Sequence, residues 1–298
     1  MLRFDIVIAG TFRLLRARPG AVLIWGLLYT LVTIGGARIV LPMTHPALLG
    51  TPSPVAAPGM LFGALIPYYL AMVLAMLVLA TASLRAVLRP GEQAFASLRL
   101  GMDELRVLGL SAIVFFLYTV AAMGIGIVAV IVGSIVTSLG GFNGGTIIFS
   151  LLVFLTGYGA MIFVSVRLSL AGALTILRRK IVIGEAWTLT RGNFWRLFGA
   201  YLVIMVILFA AYAVVASLTM GPYIGALVAG DFSQRAWQAA SQAQMAQQLA
   251  GFSPTLVLTW AIQTLTGAAS IAMWSGAIGA ATQALAGSST ADYAATFE

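Results

Sequence analysis

Six long apolar stretches determine what this chain can fold into. Each has the length of a helix that crosses the hydrocarbon core of a membrane, about 18 residues or more. The stretches cover roughly residues 20–42, 59–83, 107–138, the region from 146 past Arg167, 195–222 and 255–286. Only 8% of the residues are charged, against about 25% in ordinary soluble domains. The sequence therefore predicts an all-α polytopic membrane protein with six transmembrane helices.

The basic residues indicate how these spans are oriented. Of the sixteen Lys and Arg residues, all but Arg38 and Arg235 fall on the side shared by both termini and by the second-to-third and fourth-to-fifth connections. Basic residues are enriched on the cytoplasmic side of membrane proteins. We therefore expect both termini in the cytoplasm, with His45 and the Ala/Gln-rich segment 231–250 outside.

Internal repeats are suggested by the segment 181–199, IVIGEAWTLTRGNFWRLFG. Its first part, IVIGEAWTLTR, aligns without gaps on residues 6–16, IVIAGTFRLLR, and shares the opening Ile-Val-Ile, a later Leu and the final Arg. A looser copy, from Gly91 to Arg99, precedes the middle pair of spans. We interpret the chain as a single membrane domain built of three repeats, each an interfacial helix plus a helical hairpin. The repeat bounds are 1–89, 90–180 and 181–298.

Short polar segments lie beside the apolar spans. Segment 2–18 carries four Arg and one Asp among apolar residues, a composition typical of a helix in the head-group layer. A second short helix is predicted over about 91–105 and an external helix over 231–250.

Small residues predict where helices approach closely and where they end. Ala272, Gly276 and Ala280 recur at four-residue spacing in the sixth span, which predicts a helix-packing face. Gly192-Asn193 is typical of a C-terminal stop that turns the chain into the fifth span.

The stretch 166–196, VRLSLAGALTILRRKIVIGEAWTLTRGNFWR, resembles the membrane domain of bacterial glycerophosphoryl diester phosphodiesterases and of stand-alone six-span proteins of the YciC-like type. The similar elements are the run Arg167–Leu170, GEAW at 184–187 and LTRGNFW at 189–195. Gly172 stands where the family pattern usually has proline, and either residue predicts a break in the fourth span. The resemblance implies a location in the bacterial inner membrane, without the soluble catalytic barrel of those enzymes. Such domains look like membrane-embedded partners or lipid-handling modules.

Arg167 is the strongest candidate for a residue of a polar site. An ionised group inside hydrocarbon costs at least about 2.5–3.5 kcal/mol on insertion scales, so it faces protein, water or a phosphate, or extends to the head groups. Glu185 and Arg191 have an alternative explanation to a polar site, namely roles at the ends of helices. An acidic residue such as Glu185 stabilises the first turn of a helix. The candidate lipid head-group or polar site comprises Arg167, Arg178, Arg179, Arg191, Arg85 and Arg99.

Residues that support catalysis or metal binding are scarce in this sequence. The chain has no Cys, and its one His, His45, lies in a Pro-rich loop at about 43–58. The acidic residues stand near the predicted interfaces without a His-carboxylate pair; they are Asp5, Glu92, Asp103, Glu104, Glu185, Asp231, Asp292 and Glu298. We expect no enzyme activity, no catalytic residue, no cofactor and no metal. The formal charge of +8 is spread over span ends, which favours lipid head groups over nucleic acid.

Two classes of function remain after these exclusions. The first is a non-enzymatic integral membrane module that binds lipids or a partner protein through its Arg-rich cytoplasmic interfacial helices. The alternative is a transporter or lipid-translocating protein with a polar site around Arg167, lined by Tyr68, Tyr69, Tyr158 and Gln263. The expected partners are membrane phospholipids and either a protein partner or a second copy of the chain.

Overall fold

Helices make up all of the regular structure in the part of the chain that the computed structural model describes. The described residues are 3–36, 38, 58–91, 95–99, 101–140, 144–249 and 253–297. Within them the α-helices are α1 (Phe4–Ala17), α2 (Pro19–Thr30), α3 (Pro58–Leu88), α4 (Met102–Gly140), α5 (Gly144–Leu168), α6 (Ala171–Arg178), α7 (Gly184–Thr190), α8 (Phe194–Ala229), α9 (Gln234–Leu249) and α10 (Pro254–Phe297). A π-helical turn, Leu31–Gly35, extends α2, and a 3₁₀ turn, Phe95–Ser97, lies between α3 and α4.

Among the described residues, five helical segments are long and apolar enough to cross a membrane. They are Leu65–Leu88, Met102–Ile135, Ile147–Arg178, Phe194–Ser217 and Leu256–Gly287. α1 and the extended α2 pass the same test as a pair bent by 90°, which gives a sixth candidate span. The predicted all-helical fold is thereby confirmed, with five or six candidate membrane-spanning segments among the described residues. The far end of the first predicted span, with His45 and most of the Pro-rich loop, lies outside the described residues.

The prediction of a short helix over about 91–105 is wrong for the described part of that stretch. Ala96 and Ser97 have φ angles of 50° and 55°, a left-handed conformation that an α-helix of L-residues does not contain. A new helix, α4, starts instead at Met102. The Glu104 carboxylate accepts a hydrogen bond from the Gly101 N–H at 2.9 Å, which is one half of a capping box and stabilises the start of α4.

The break predicted in the fourth span is present, slightly before Gly172. α5 ends at Leu168 and α6 begins at Ala171. The Ser169 hydroxyl donates to the Val166 carbonyl oxygen at 2.8 Å, and a side chain that takes a backbone acceptor in this way competes with the helical hydrogen bond. Gly172 itself lies within α6.

The segment 181–199 forms the short helix α7, a turn, and the start of α8. Gly192 in that turn has φ +83°, a conformation that glycine adopts without steric cost. The predicted stop at Gly192-Asn193 is therefore confirmed. The helices predicted over 2–18 and 231–250 are present as α1 and α9, and their placement at membrane surfaces stays a prediction.

The described chain divides into two compact units. Apart from the gaps given above, unit 1 contains residues 3–6, 101–199 and 281–297, and unit 2 contains residues 7–99 and 200–280. α4 to α7 thus belong to unit 1, whereas α2, α3 and α9 belong to unit 2. The organisation into three repeats stays a prediction.

Unit 2 depends on the close approach of helices at small residues of α10. A Cβ atom on Gly276 would meet the backbone of Gly10 in α1, lying 3.1 Å from its carbonyl carbon. A Cβ atom on Gly10 would in turn meet Ala280, and Ala272 is fully buried. The predicted packing face of α10 is therefore confirmed. The apolar core beside it consists of Leu14, Val22, Trp25, Leu79, Ala82, Ala86, Ala268 and Ala272.

Unit 1 is organised around α6. The buried residues of this helix are Ala171, Ala173, Leu174, Thr175 and Ile176. α6 and α5 each pack against both α4 and α7. The Thr175 hydroxyl oxygen accepts a hydrogen bond from the Val182 N–H at 3.3 Å, which holds the loop between α6 and α7. α7 is thereby placed beside the end of α5.

We expect Gly276→Ala to destabilise unit 2, because the added methyl group would meet the Gly10 backbone and push α1 and α10 apart. Overpacking of this kind costs about 1–3 kcal/mol, which would appear as a lower midpoint of thermal unfolding in detergent. Gly225→Ala is the matched control, since nothing lies within 4 Å of a Cβ atom at that position in α8. Equal midpoints for the two variants would contradict the close contact.

Candidate functional site

Arg167 lies in the last turn of α5 and packs against two aromatic rings. Its Cζ atom is 5.1 Å from the ring centroid of Phe163 and 5.4 Å from that of Trp187 in α7. The two rings meet edge to face, with centroids 6.0 Å apart. Cation–π contacts of this kind are worth about 0.5–1 kcal/mol when exposed and more when desolvated. We call Phe163, Arg167 and Trp187 together the Arg167 site.

The hydrogen bonding of the Arg167 guanidinium is incomplete. Nη1 donates to the Trp187 carbonyl oxygen across 3.4 Å, which is long for a charge-assisted hydrogen bond. Nε is buried, and neither Nε nor Nη2 has an acceptor within the described part of the chain. A buried donor without a partner costs about 1–3 kcal/mol, and more when it is charged. An additional acceptor, above all a negatively charged one, could therefore bind only at the part of the guanidinium that is not buried.

Thr190 connects the backbone of α5 to the last turn of α7. Its hydroxyl lies 3.2 Å from the Arg167 carbonyl oxygen and 2.8 Å from the Ala186 carbonyl oxygen. The hydroxyl has one proton to donate, and the Ala186 carbonyl oxygen within α7 is the nearer acceptor, so the approach to the Arg167 carbonyl oxygen is the longer of the two. This contact, together with the turn before α6, brings Trp187 to Arg167.

Arg178 is paired with an acidic residue. Its Nη2 and Nε atoms lie 2.8 Å and 3.2 Å from Oε1 of Glu185, so that the end of α6 is joined to the first turn of α7. Both side chains are partly exposed, and pairs of this kind contribute about 0–1 kcal/mol. The pair neutralises Arg178, so its charge is less available to an anionic ligand.

Further basic residues of unit 1 follow Arg178 along the chain. Arg179 caps the end of α6 with φ +55°, and Arg191 caps the end of α7. Both side chains are exposed, as is Lys180. From Arg167 to Arg191 the chain carries five basic residues and one acidic residue, a net formal charge of +4. The segment therefore attracts anions at longer range as well as at Arg167.

The other two residues of the predicted site, Arg85 and Arg99, lie in unit 2. Arg85 is only 1% exposed and its Nη1 donates to the Ser97 carbonyl oxygen at 2.8 Å. The neighbouring Ala96 carbonyl oxygen accepts a hydrogen bond from Nε1 of Trp25 at 2.9 Å. Arg85 thus stabilises the turn at Phe95–Ser97, whose left-handed residues were not predicted. Arg99 is exposed. We leave Arg85 out of the site proposed below.

The polar residues predicted to line a path around Arg167 are divided between the units. Tyr68, Tyr69 and Gln263 belong to unit 2, and the Tyr68 hydroxyl lies 3.4 Å from the Thr33 carbonyl oxygen. Tyr158 belongs to unit 1, where it is exposed and stacks on Phe154. It precedes Arg167 by nine residues in α5, about 13 Å along the helix axis. The polar lining made of these residues stays a prediction.

The aromatic partners of Arg167 were not predicted as part of a site. Phe163 stands one helical turn before Arg167, and this spacing was a usable signal. Trp187 is twenty residues further along the chain, and its contact depends on the break between α5 and α6. Among the described residues, no group of His, Cys, Asp and Glu side chains has a metal-binding arrangement.

We expect Glu185→Gln and Arg178→Gln each to lower the free energy of unfolding by at most about 1 kcal/mol, because their pair is partly exposed. In a double-mutant cycle, measured by denaturation in detergent, the coupling energy should be about 0.2–1 kcal/mol. A coupling above about 3 kcal/mol would contradict this account, since it is characteristic of a desolvated pair.

Comparisons of the chain with protein-family models, with curated proteins and with solved structures found no match. The resemblance of residues 166–196 to the membrane domain of the phosphodiesterases therefore rests on those residues and stays a prediction.

Proposed function

We propose that this chain is a non-enzymatic, multi-pass module that binds an anionic phospholipid, with the lipid phosphate at the Arg167 site. The observation that carries the proposal is the half-buried Arg167 guanidinium, which packs on Phe163 and Trp187 and has one long hydrogen bond within the described residues. A guanidinium offers several N–H donors in a planar fork that matches phosphate oxygens. A phosphate would accept from the guanidinium N–H groups that are not buried.

The surrounding charge supports an anionic lipid over a zwitterionic one. The net charge of +4 between Arg167 and Arg191 attracts a ligand with net negative charge. Basic residues near an anionic membrane surface contribute about 1 kcal/mol each. The Trp187 ring suits a site at the lipid head groups, because Trp is enriched at the membrane–water interface.

The proposed location is the bacterial inner membrane, with both termini in the cytoplasm and the Arg167 site at the cytoplasmic surface. The distribution of Lys and Arg supports this orientation. The cytoplasmic leaflet is also the one whose anionic lipids attract basic segments.

The orientation is testable because the chain has no cysteine. We expect a cysteine at exposed Lys180 (Lys180→Cys) to react with a membrane-impermeant maleimide only after the membrane is opened. A cysteine at exposed Gln238 in α9 (Gln238→Cys) should react in intact spheroplasts. The reverse pattern of labelling would contradict the proposed orientation.

We expect Arg167→Gln to reduce retention of phosphatidylglycerol by at least about tenfold, since a hydrogen bond to a charged group contributes about 1.5–3 kcal/mol. Arg167→Lys should restore part of the binding, because lysine keeps the charge and loses the planar fork. The measurement is native mass spectrometry of detergent-purified protein given equal amounts of phosphatidylglycerol and phosphatidylcholine.

Arg38→Gln is the matched control for this experiment. The Arg38 guanidinium lies over the Trp260 ring, with Cζ 4.8 Å from the centroid, so the variant removes the same charge and the same kind of contact in unit 2. It should bind phosphatidylglycerol as the wild type does. If Arg167→Gln and Arg38→Gln bound equally well, or if the wild type held a protein partner and no anionic lipid, the proposal would be wrong.

A further inference from the structure

A long apolar groove lies between α4 and α5 in unit 1. Its larger part has a volume of about 610 Å³ and is lined by residues that include Gly124 and Gly157. A smaller part, of about 90 Å³, extends to Leu168, the residue that follows Arg167. The two parts share the lining residues Ala121, Ile125 and Ala160. We call them together the α4–α5 groove.

The groove and the Arg167 site lie on one face of α5. Ala160, Thr156 and Phe149 line the groove and precede Arg167 by seven, eleven and eighteen residues, which are the spacings of a single helical face. Long side chains on a helix point toward its N-terminus. The contact of the Arg167 guanidinium with Phe163, one turn earlier, agrees with that direction. The smaller part of the groove ends at Leu168, beside Arg167 in the chain.

The half of the groove nearer Arg167 suits an acyl chain from the same leaflet. Gly157 precedes Arg167 by ten residues in α5, about 15 Å along the axis. This is half of the roughly 30 Å hydrocarbon thickness of a bilayer, so a chain anchored at Arg167 reaches about as far as Gly157 and fills only the half of the groove nearer Arg167.

The shape of the groove depends on how α4 and α5 meet. A Cβ atom on Gly157 would lie 2.6 Å from Cγ2 of Ile125, so the two helices touch there. Nearer the cytoplasmic end, the Tyr118 hydroxyl lies 2.6 Å from the Ser165 hydroxyl and ties the helices together again. Nothing lies within 4 Å of a Cβ atom at Gly124, so the groove is open at that wall.

We propose that the α4–α5 groove holds one acyl chain of the anionic phospholipid whose phosphate binds at Arg167. This inference rests on the proposed function and adds that the protein recognises the lipid by its chain as well as by its head group. A diacyl or lysophospholipid is therefore a ligand, whereas a free phosphate or a soluble glycerol phosphate is not.

Gly124 and Gly126 in α4 give a matched pair of variants. Both are exposed, and a Cβ atom at either position would meet nothing within 4 Å, so the backbone accepts a side chain at both positions. Gly124 lines the groove and Gly126 does not. Two residues apart, they point to opposite sides of a helix. Only Gly124→Leu fills the space proposed for the acyl chain.

The experiment uses phosphatidylglycerol with a photoactivatable diazirine in one acyl chain, added in slight excess to the full chain in detergent. Wild type, Gly124→Leu, Gly126→Leu and Arg167→Gln are irradiated, and the labelled peptides are identified by mass spectrometry. We expect labelling of the wild type within 117–128 and 156–164. Gly124→Leu should lower it about tenfold, equivalent to about 1.4 kcal/mol, and Gly126→Leu should match the wild type.

The outcomes separate this inference from the proposed function. If Arg167→Gln lost the lipid and the two leucine variants behaved alike, the acyl-chain site would be overturned and the head-group site would stand. If Arg167→Gln kept full labelling, the head-group site would be wrong and the combined site with it. Displacement of the lipid by millimolar glycerol 3-phosphate would also overturn the inference, because the chain would then add nothing to binding.

Discussion

An ionised guanidinium at the end of an apolar helix must be compensated, and the arrangement of unit 1 around Arg167 follows from that requirement. Hydrocarbon surroundings supply no hydrogen bonds, so a charged group there depends on protein, water or a lipid head group. The protein supplies two aromatic rings and one carbonyl oxygen. It leaves the remaining N–H donors without an acceptor in the part of the chain described. This incomplete compensation is what an anionic ligand would complete.

Unit 2 meets the same constraint in another way. Its buried Arg85 is held on a backbone carbonyl oxygen of the turn at Phe95–Ser97, and its helices approach one another at Gly10 and Gly276. In hydrocarbon, close contact at small residues supplies the packing that the hydrophobic effect supplies in water. A buried arginine therefore serves the fold in unit 2, whereas the partly open Arg167 of unit 1 is suited to a ligand.

The parts of the fold that follow from local sequence could be predicted. Long apolar runs predict spans, four-residue spacing of Ala272, Gly276 and Ala280 predicts a packing face, and Gly192-Asn193 predicts a turn. The turn at Ala96 and Ser97 could not be predicted in this way, because neither residue favours a left-handed conformation. It is stabilised by hydrogen bonds from Trp25 and Arg85, which are distant in sequence.

The site was predictable to a similar extent. The cost of a charge in an apolar span singles out Arg167, but Trp187 reaches it through the break after Leu168 and the packing of α7, which are tertiary features. Arg85 has the same sequence signal as Arg167, a basic residue at the end of a span. Burial in the folded chain distinguishes the two, since Arg85 is 1% exposed.

The most direct measurement is an electron cryo-microscopy structure of the chain in nanodiscs that contain phosphatidylglycerol. The account predicts density for a lipid phosphate at hydrogen-bond distance from the Arg167 guanidinium, about 2.7–2.9 Å between nitrogen and oxygen, next to the rings of Phe163 and Trp187. A structure in which Arg167 is paired fully by protein groups, with no lipid at these rings, would contradict it.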